Sequence, residues 1–499
     1  MIIMEKKILE IINNLAEQAR LKVYITGGYI RALLLNHSVE VIDIDFLVTG
    51  GPVEPFVEKA AKSLQSSLVE LDKNFGIYRV VIKQEKKNYK ILDFTSLKGR
   101  NLVEDLKRRD FTVNSLALHL GDYLQKSSSW QHCLIDINGG LEDLKEKKIR
   151  MVSPKAFQED PSRLIRGIRL CASLGFNLDG QTQYKMLHSR KLLKEVSGER
   201  IRDELWKIFD LDVSYPWVKF MEETLGFLSV LFPEVSLMKT TEQNFFHGEE
   251  VWSHCLHTFK SIEQNIVSPP FSSELAMLIN QHMKQELVFP RKRKQLLKFF
   301  ALFHDVGKIK TKKVLDSGRI VFHRHEVEGI PILENYSGVL KLSSKERRIL
   351  SSLTRNHMHP LFLQVAKNVS PRAFYKLFNK CGEETVEVLM HSLSDFIAKR
   401  EAKGNFQEIK FYQEFIHETF EKYFFKREIF VSPPDIISGE EIMEYLKLHP
   451  SPGVGYLLAK VKEAQSDGKV KNRREALNLA SQIVKTDTYR KRFHLGKGR

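Results

Sequence analysis

The sequence predicts an α+β protein: an N-terminal α/β domain over residues 1–151, then predominantly helical segments over 152–235, 240–405 and 406–499. Three observations carry this. Strand-like apolar runs alternate with helical patterns from Tyr24 to Phe94, which gives an α/β sheet. Beyond about Ser153 the patterns are helical. The 499 residues suffice for about three or four domains at ~100–200 residues each.

Taken in order, Ile8, Ile12, Leu15 and Ala19 recur at helical spacing and predict an amphipathic helix packed on the first domain. Tyr24–Val48 then reads as strand, Gly27-Gly28 turn, helix start, and a second strand carrying Asp43 and Asp45. Residues two apart on a strand share a face, so these carboxylates can hold a divalent metal between them. A Gly-Gly turn at a helix start lets a phosphate approach backbone N–H groups. Metal plus phosphate cradle points to nucleotidyl transfer, although a DxD alone also occurs as a solvated strand edge.

A helix over Pro55–Leu68 and strands around Gly76–Ile82 and Tyr89–Phe94 follow. Asp93, on a strand neighbouring the DxD, is a candidate third carboxylate, for metal or as a base; a strand-end turn accounts for it equally. Arg108, Arg109 and Asp110 precede an apolar stripe. Guanidinium forks match phosphate oxygens, so paired arginines can clamp a triphosphate. Asn114 is a candidate ribose contact or a helix cap. Leu134–Leu144 reads as a strand end at Asp136, a Gly139-Gly140 turn and a short helix.

In Phe157–Phe176, Pro161 falls at a first helical position with Asp160 as its N-cap. Arg163, Arg166 and Arg169 then share one helical face. Asp160 and Arg163 can present a carboxylate acceptor beside a guanidinium donor. That pair complements the amino donor and ring-nitrogen acceptor of cytosine and adenine, and leaves uracil and guanine unpaired. A plain ion pair at a helix start is the structural alternative. Glu199, Arg200 and Glu204 of the next helix start can brace this helix.

From Asn244 to Arg400 the chain is helical and histidine-rich. His254, His304, Asp305 and Asp395, with His325 and His357 between, offer imidazole and carboxylate ligands that suit a transition metal. The tail has an aromatic-rich helix at Phe411–Phe425, a capped helix, a turn at Pro450–Gly455 and further helices.

Bulk properties narrow the function classes. A formal net charge of +16 predicts a polyanionic partner, with basic clusters in Lys284–Lys313 and Lys469–Arg499. Nucleic acid is favoured over a membrane surface, because no basic helix with aromatic anchors stands out and no apolar run approaches ~18 residues. The N-terminus breaks into charge after four residues, unlike a secretory signal. Cys133, Cys171, Cys255 and Cys381 include no CxxC pair and suit a reducing cytosol.

GGYIRALLL with IDIDF, RRDFTVN, IDINGG, EDPSRLIRGIRL and GERIRDEL stand in one order. Together they resemble the class II tRNA nucleotidyltransferase (CCA-adding enzyme) and bacterial poly(A) polymerase family, densely over 23–209. The resemblance implies a polymerase-β-like nucleotidyltransferase head, with helical neck, metal-binding and tail domains. It implies that Asp43 and Asp45 hold Mg²⁺, and that Gly27, Gly28 and Arg31 contact the triphosphate. Arg108, Asp110 and Asn114 would handle phosphate and ribose. Asp160 and Arg163, with Arg166 and Arg169 beside them, would template the base. Partners would be tRNA, CTP and ATP in the cytoplasm, without a membrane; oligomeric state stays open. HDVGK and its spaced ligands resemble the HD phosphohydrolase superfamily, which implies a divalent transition metal at His254, His304, Asp305, His325, His357 and Asp395. Metal-activated water would cleave 2′,3′-cyclic or terminal phosphates at RNA ends.

Two departures bear on activity. Ala32 stands where the family usually has Asp after the motif arginine. The short gap from Asp93 to Arg108 resembles members that add CC rather than full CCA. The competing readings are a poly(A) polymerase, an HD phosphohydrolase with an RNA-binding N-terminal half, and a non-enzymatic RNA-binding protein.

Overall fold

A six-stranded sheet organises the first part of the chain. The structure is a computed structural model that describes residues 2–35, 43–73, 76–83, 89–126, 129–243, 250–366, 369–401 and 404–493. The strands are β1 (Lys22–Thr26), β2 (Asp43–Thr49), β3 (Ser67–Asp72), β4 (Ile77–Lys83), β5 (Tyr89–Ser96) and β6 (Ala117–His119). Their order is β3-β4-β5-β2-β1-β6. β2 and β5 run parallel, and the other pairs are antiparallel.

Strand alternation separates two faces. Ile44, Phe46, Leu92 and Phe94 are buried, while Asp45 is exposed and Asp93 half-buried on the opposite face. Phe46 stacks on Phe94 at 5.0 Å between ring centroids, and Phe56 meets Phe94 edge-on at 5.9 Å. Phe56 belongs to the helix Val53–Ser63, whose apolar stripe covers this face. The rigid aromatic layer therefore holds the strands whose other face carries the acidic residues.

The predicted helix over Pro55–Leu68 is shorter than expected. It ends at Ser63, Gln65 turns the chain at φ 49°, and Ser67–Asp72 becomes the edge strand β3. Leu68, Val69 and Leu71 stay exposed there, so pairing with β4, not burial, decides this segment. The N-terminal helix spans Ile2–Gln18, but its buried stripe is Ile8, Leu9, Ile12 and Ala16. Leu15 is half-buried and Ala19 lies beyond the helix.

The chain divides into two units, Met1–Ile208 with Trp217–Leu231, and Phe209–Pro216 with Phe232–Arg499. In the second, the helix Val251–Val267 packs on both Arg293–Phe303 and Thr385–Glu401, and His325–Val339 packs on Ser344–Asn356. The last helices share a core that includes Ile442, Leu457, Val461, Ala480 and Tyr489. The expected turn at Pro450–Gly455 is smaller, because Pro452 opens the helix Pro452–Ser466 with Ser451 as N-cap.

One basic cluster is not the free surface its composition suggests. Lys292 pairs with Asp210, and Lys298 with Glu263. Arg291 forks Glu346, Arg293 bonds Glu387, and Lys308 pairs with Asp305. These cations of Lys284–Lys313 tie helices together inside the unit, so they are not available to a polyanion. Among the described residues no helix is long and apolar enough to cross a membrane.

Candidate active site and metal centre

The first site begins at the turn after β1. Gly27 has φ +71°, a conformation that L side chains rarely adopt, and caps the helix Gly28–Leu34. A Cβ on Gly27 would lie 2.7 Å from Asp45 Oδ2. The glycine thus lets the backbone pass directly against that carboxylate. Gly28 is the first helical residue, and Ala32 sits half-buried within the same helix.

Register aligns the acidic residues. Thr26 on β1 stands opposite Asp45, and Asp45 opposite Asp93 on β5. Asp43 lies two residues earlier, opposite Ile91; its side chain lies outside the described residues. Asp93 is not a strand-end turn residue. Arg79, its neighbour on β4, forks it: Nε donates to Oδ1 and Nη2 to Oδ2, both at 2.8 Å. Arg79 escaped the sequence reading, although a half-buried Arg between buried Tyr78 and Val80 marks it as sharing the face of Asp93.

Arg31 continues the site. Its Nη1 donates to Asn114 Oδ1, and Asn114 Nδ2 donates to Asp110 Oδ1 at 3.3 Å. Arg166 Nη1 reaches Asp110 Oδ2 at 3.3 Å, and its Nε donates to Glu204 Oε1 at 3.1 Å. Arg169 Nε lies 2.6 Å from Glu204 Oε2. One polar chain therefore joins Arg31, Asn114, Asp110, Arg166 and Arg169, with Glu204 bracing the arginine face as its position suggested. Burial and then the Arg169 charge lower the Arg31 pKa to about 10, which leaves it a cation at neutral pH. Burial alone would raise Asp110, but Arg166 and the Phe111 N–H outweigh it and hold the carboxylate below its ordinary range. Arg108 stands apart from this chain: it is exposed, 3.7 Å from Glu159.

The pairing of Asp160 corrects the expectation. The helix starts at Arg163, with Ser162 in the N-cap place, and Asp160 lies one turn outside it. Asp160 Oδ1 accepts from Ser162 N at 3.1 Å and from Ser162 Oγ at 2.7 Å, while Oδ2 accepts from Arg200 Nη2 at 2.7 Å. Arg163 turns instead to backbone carbonyls. Its Nη2 donates to Arg108 O at 2.8 Å, and Nη1 to Ala156 O at 3.2 Å and Arg109 O at 3.4 Å. The planar fork satisfies a chain reversal better than a short acid one turn away. A carboxylate oxygen has two lone pairs and each Nη two hydrogens. Asp160 Oδ2 therefore keeps one acceptor position, and Arg163 Nη2 keeps one donor.

The second unit holds a denser cluster. Three helices deliver its core: His254 from Val251–Val267, His304 and Asp305 from the end of Arg293–Phe303, and Asp395 from Thr385–Glu401. One ligand atom from each lies within 4.8 Å of the others, and the same holds for Asp305, His325 and His357. All six are buried. Gly307 explains the motif's spacing, since a Cβ there would meet His325 O at 2.0 Å. Only glycine admits the start of the helix His325–Val339 this close to the His-Asp turn.

The donor set fits a divalent transition metal. Nδ1 of His304, His325 and His357 each bonds a backbone carbonyl, of Ala301, Phe322 and Thr354, at 2.8–2.9 Å. That fixes the tautomer and turns Nε2 inward as the ligand atom. His304 Nε2 is fully buried and, among the described residues, has no hydrogen-bond partner; it lies 3.2 Å from Asp305 Oδ2 and 3.5 Å from Asp395 Oδ1. Burial opposes a charge on His304, yet the Asp305 carboxylate outweighs it and raises its pKa well above the ordinary value. Burial, then the Lys399 charge, lowers His254 to about 4; burial, then His325, lowers His357 to about 3.

Three further residues touch this centre: His391 and Lys399, which held no role in the sequence motifs, and Lys308, the lysine of HDVGK. His391, one turn before Asp395, is buried, its ring nitrogens lack hydrogen-bond partners among the described residues, and its ring lies 4.5 Å from that of His304. Lys308 Nζ lies 2.6 Å from Asp305 Oδ2 and Lys399 Nζ 2.7 Å from Asp395 Oδ2. The i,i+4 spacing of His391, Asp395 and Lys399 was the available signal.

Known proteins share these features in parts and across the whole. Residues 23–150 match the family described as the poly A polymerase head domain. Residues 175–238 match the probable RNA and SrmB-binding site of polymerase A, and 272–385 match the HD domain. The chain is 27% identical over 457 residues to a CC-adding tRNA nucleotidyltransferase of Thermus thermophilus, covering 90% of this chain and 91% of that one. It is 29% identical over 420 residues to an A-adding tRNA nucleotidyltransferase of Deinococcus radiodurans, covering 81% and 83%. Among solved structures, a CCA-adding enzyme in an apo form matches with a TM-score of 0.63 at 18% identity, over 96% of this chain and 94% of that one. The Thermotoga maritima CCA-adding enzyme complexed with tRNA matches with a TM-score of 0.59 at 19% identity, over 96% and 95%. At these identities the structures speak to the fold.

Proposed function

Because the chain belongs to the tRNA nucleotidyltransferase and poly(A) polymerase family, we propose that it transfers nucleotides from CTP, ATP or both to the 3′ end of tRNA without a nucleic-acid template. The supporting observation is the juxtaposition of Asp45, Asp93 and the Gly27 turn with the Arg31–Asn114–Asp110–Arg166 chain.

Asp43 and Asp45 would hold Mg²⁺, with Asp93 beside them; their hard oxygens suit that ion. When bound, Mg²⁺ supplies acidification of the RNA 3′-hydroxyl and charge neutralisation of leaving pyrophosphate. The N–H groups at Gly27 and Gly28 and the Arg31 guanidinium take the triphosphate. Asp110, Asn114 and Arg108 orient sugar and phosphate. The remaining acceptor of Asp160 and donor of Arg163 read the amino group and ring nitrogen of C or A. Arg166 and Arg169 keep that reading helix fixed through Glu204. We place the enzyme in the cytoplasm.

The extent of addition is the finer point. The short Asp93–Arg108 gap favours CC-addition, and relatives named for CC-, A- and full CCA-addition all match. Poly(A) polymerase is the second reading, since the head and neck families carry that name. For the HD centre we propose a metal-dependent phosphohydrolase acting on phosphates at RNA ends. The test of the main reading is radiolabelled CTP or ATP incorporation into tRNA lacking CCA. Wild type should incorporate, and Asp43→Ala with Asp45→Ala should not; incorporation of ATP alone into long tails on any RNA would favour the second reading.

A further inference from the structure

The HD centre contains two lysines as well as its ligands, and they differ. Lys308 is enclosed, with Nζ bonded to Gln243 Oε1 at 2.5 Å and paired to Asp305. Lys399 is open on one side, its side chain 30% exposed, and its ion pair with the cluster is to Asp395 Oδ2. Asp395 uses Oδ1 for His254 at 2.6 Å, so Lys399 holds the other oxygen.

Charge then selects the ligand. Asp305 and Asp395 are cancelled by Lys308 and Lys399, so one bound divalent ion leaves these groups two charges positive. A terminal phosphomonoester is close to a dianion at neutral pH. A 2′,3′-cyclic phosphodiester carries a single charge. If Asp395 served a bound metal, its hold on Lys399 would weaken, and N–H donors of the ammonium would be left for an anionic ligand.

We propose that Lys399 is a phosphate-binding residue of the HD centre, and that it makes terminal phosphomonoesters of RNA the preferred substrates over cyclic phosphodiesters. The proposal rests on the phosphohydrolase reading of this centre. In the reaction, water oxygen bonds to phosphorus and the ester P–O bond breaks. The leaving RNA oxygen takes up a proton from water, and inorganic phosphate departs. Lys399 contacts the non-bridging oxygens through charge-assisted hydrogen bonds.

The test titrates inorganic phosphate into the Mn²⁺-loaded full-length protein by calorimetry, and Mn²⁺ into the metal-free protein separately, for wild type, Lys399→Met and Lys399→Arg. Lys399→Met should bind phosphate about tenfold or more weakly, while binding Mn²⁺ at least as tightly, because a competitor for Asp395 is gone. Lys399→Arg should recover most phosphate affinity. In parallel, wild type should hydrolyse RNA with a 3′-phosphate faster than RNA with a 2′,3′-cyclic phosphate, and Lys399→Met should lose most of that preference. Unchanged phosphate affinity in Lys399→Met, or Mn²⁺ and phosphate affinity falling together in both variants, overturns the proposal. If wild type hydrolyses neither end while phosphate binding still depends on Lys399, the phosphohydrolase reading fails and the phosphate site stands.

Discussion

Asp160 is held by Arg200, forty residues along the chain, and not by Arg163 one turn away; the Arg200 Nη2 to Asp160 Oδ2 distance is 2.7 Å. The carboxylate that would read a base is thus oriented from the helix Gly198–Asp210. Burial favours its neutral form, but the Arg200 and Ser162 hydrogen bonds outweigh that and keep it an acceptor. Arg200→Ala should free Asp160 to rotate and loosen nucleotide choice. The expected outcome is a fall of about tenfold in the kcat/KM ratio of CTP or ATP over UTP and GTP, at a cost of roughly 1–3 kcal/mol per lost contact. An unchanged ratio would remove Arg200 from nucleotide selection.

Gly27 gives a second prediction. A methyl group there would press on Asp45 Oδ2 and demand a left-handed backbone. Gly27→Ala should lower nucleotide incorporation by about a hundredfold or more, on the scale of 1 Å misplacements near reacting groups. The melting temperature should fall by only a few degrees. Full activity would mean that the turn has no part in transfer.

The Arg79 fork separates two roles for Asp93. If Asp93 serves the metal pair, Asp93→Asn should raise the Mg²⁺ concentration for half-maximal transfer and cut kcat by about ten- to a hundredfold, while Asp45→Asn abolishes it. Magnesium titration of incorporation rates checks this. An Asp93→Asn enzyme with wild-type magnesium dependence but lower stability would leave Asp93 as the partner of Arg79 alone.

Glu463 carries a pH prediction. Arg372 Nε and Lys376 Nζ, each at 2.6 Å, and Lys460 Nζ at 2.7 Å surround its carboxylate. Burial pushes its pKa up, but these three cations outweigh burial and bring it to about 2, from 4.5. A depressed carboxylate stabilises the fold fully above its unfolded value and loses this as pH falls through the folded one. Glu463→Gln should melt a few degrees lower at about pH 6. That gap should shrink between pH 4.5 and pH 2 and vanish below. A gap independent of pH would assign the effect to packing.

Much of both sites was legible in the sequence because spacing along one element maps directly onto geometry. Arg163, Arg166 and Arg169 do share one helix face, and Asp93 does lie beside the DxD strand. The HD ligands were legible as residue types, and the structure gathers them from separate helices. What stayed hidden were partners that only tertiary folding supplies. Arg79 reaches Asp93 across an antiparallel strand pair, and Lys399 looked like one more basic residue, whereas Arg200, expected to brace the preceding helix, does so through Asp160. Local pattern also misled where competing effects decide. Ser67–Asp72 pairs as a strand although its apolar side chains stay exposed, and the basic run around Lys292 is consumed by internal carboxylates.

The central claim is template-independent repair of the tRNA 3′ end. It is tested most directly by giving the purified enzyme tRNA that ends before CCA, after C, and after CC, with CTP, ATP, UTP or GTP singly and together, and sizing the products. Template-independent repair predicts additions that stop at or before the complete CCA end, drawn from CTP, ATP or both, with UTP and GTP rejected. Open-ended adenylate tails irrespective of the RNA end, or no addition to any of the three, would contradict it.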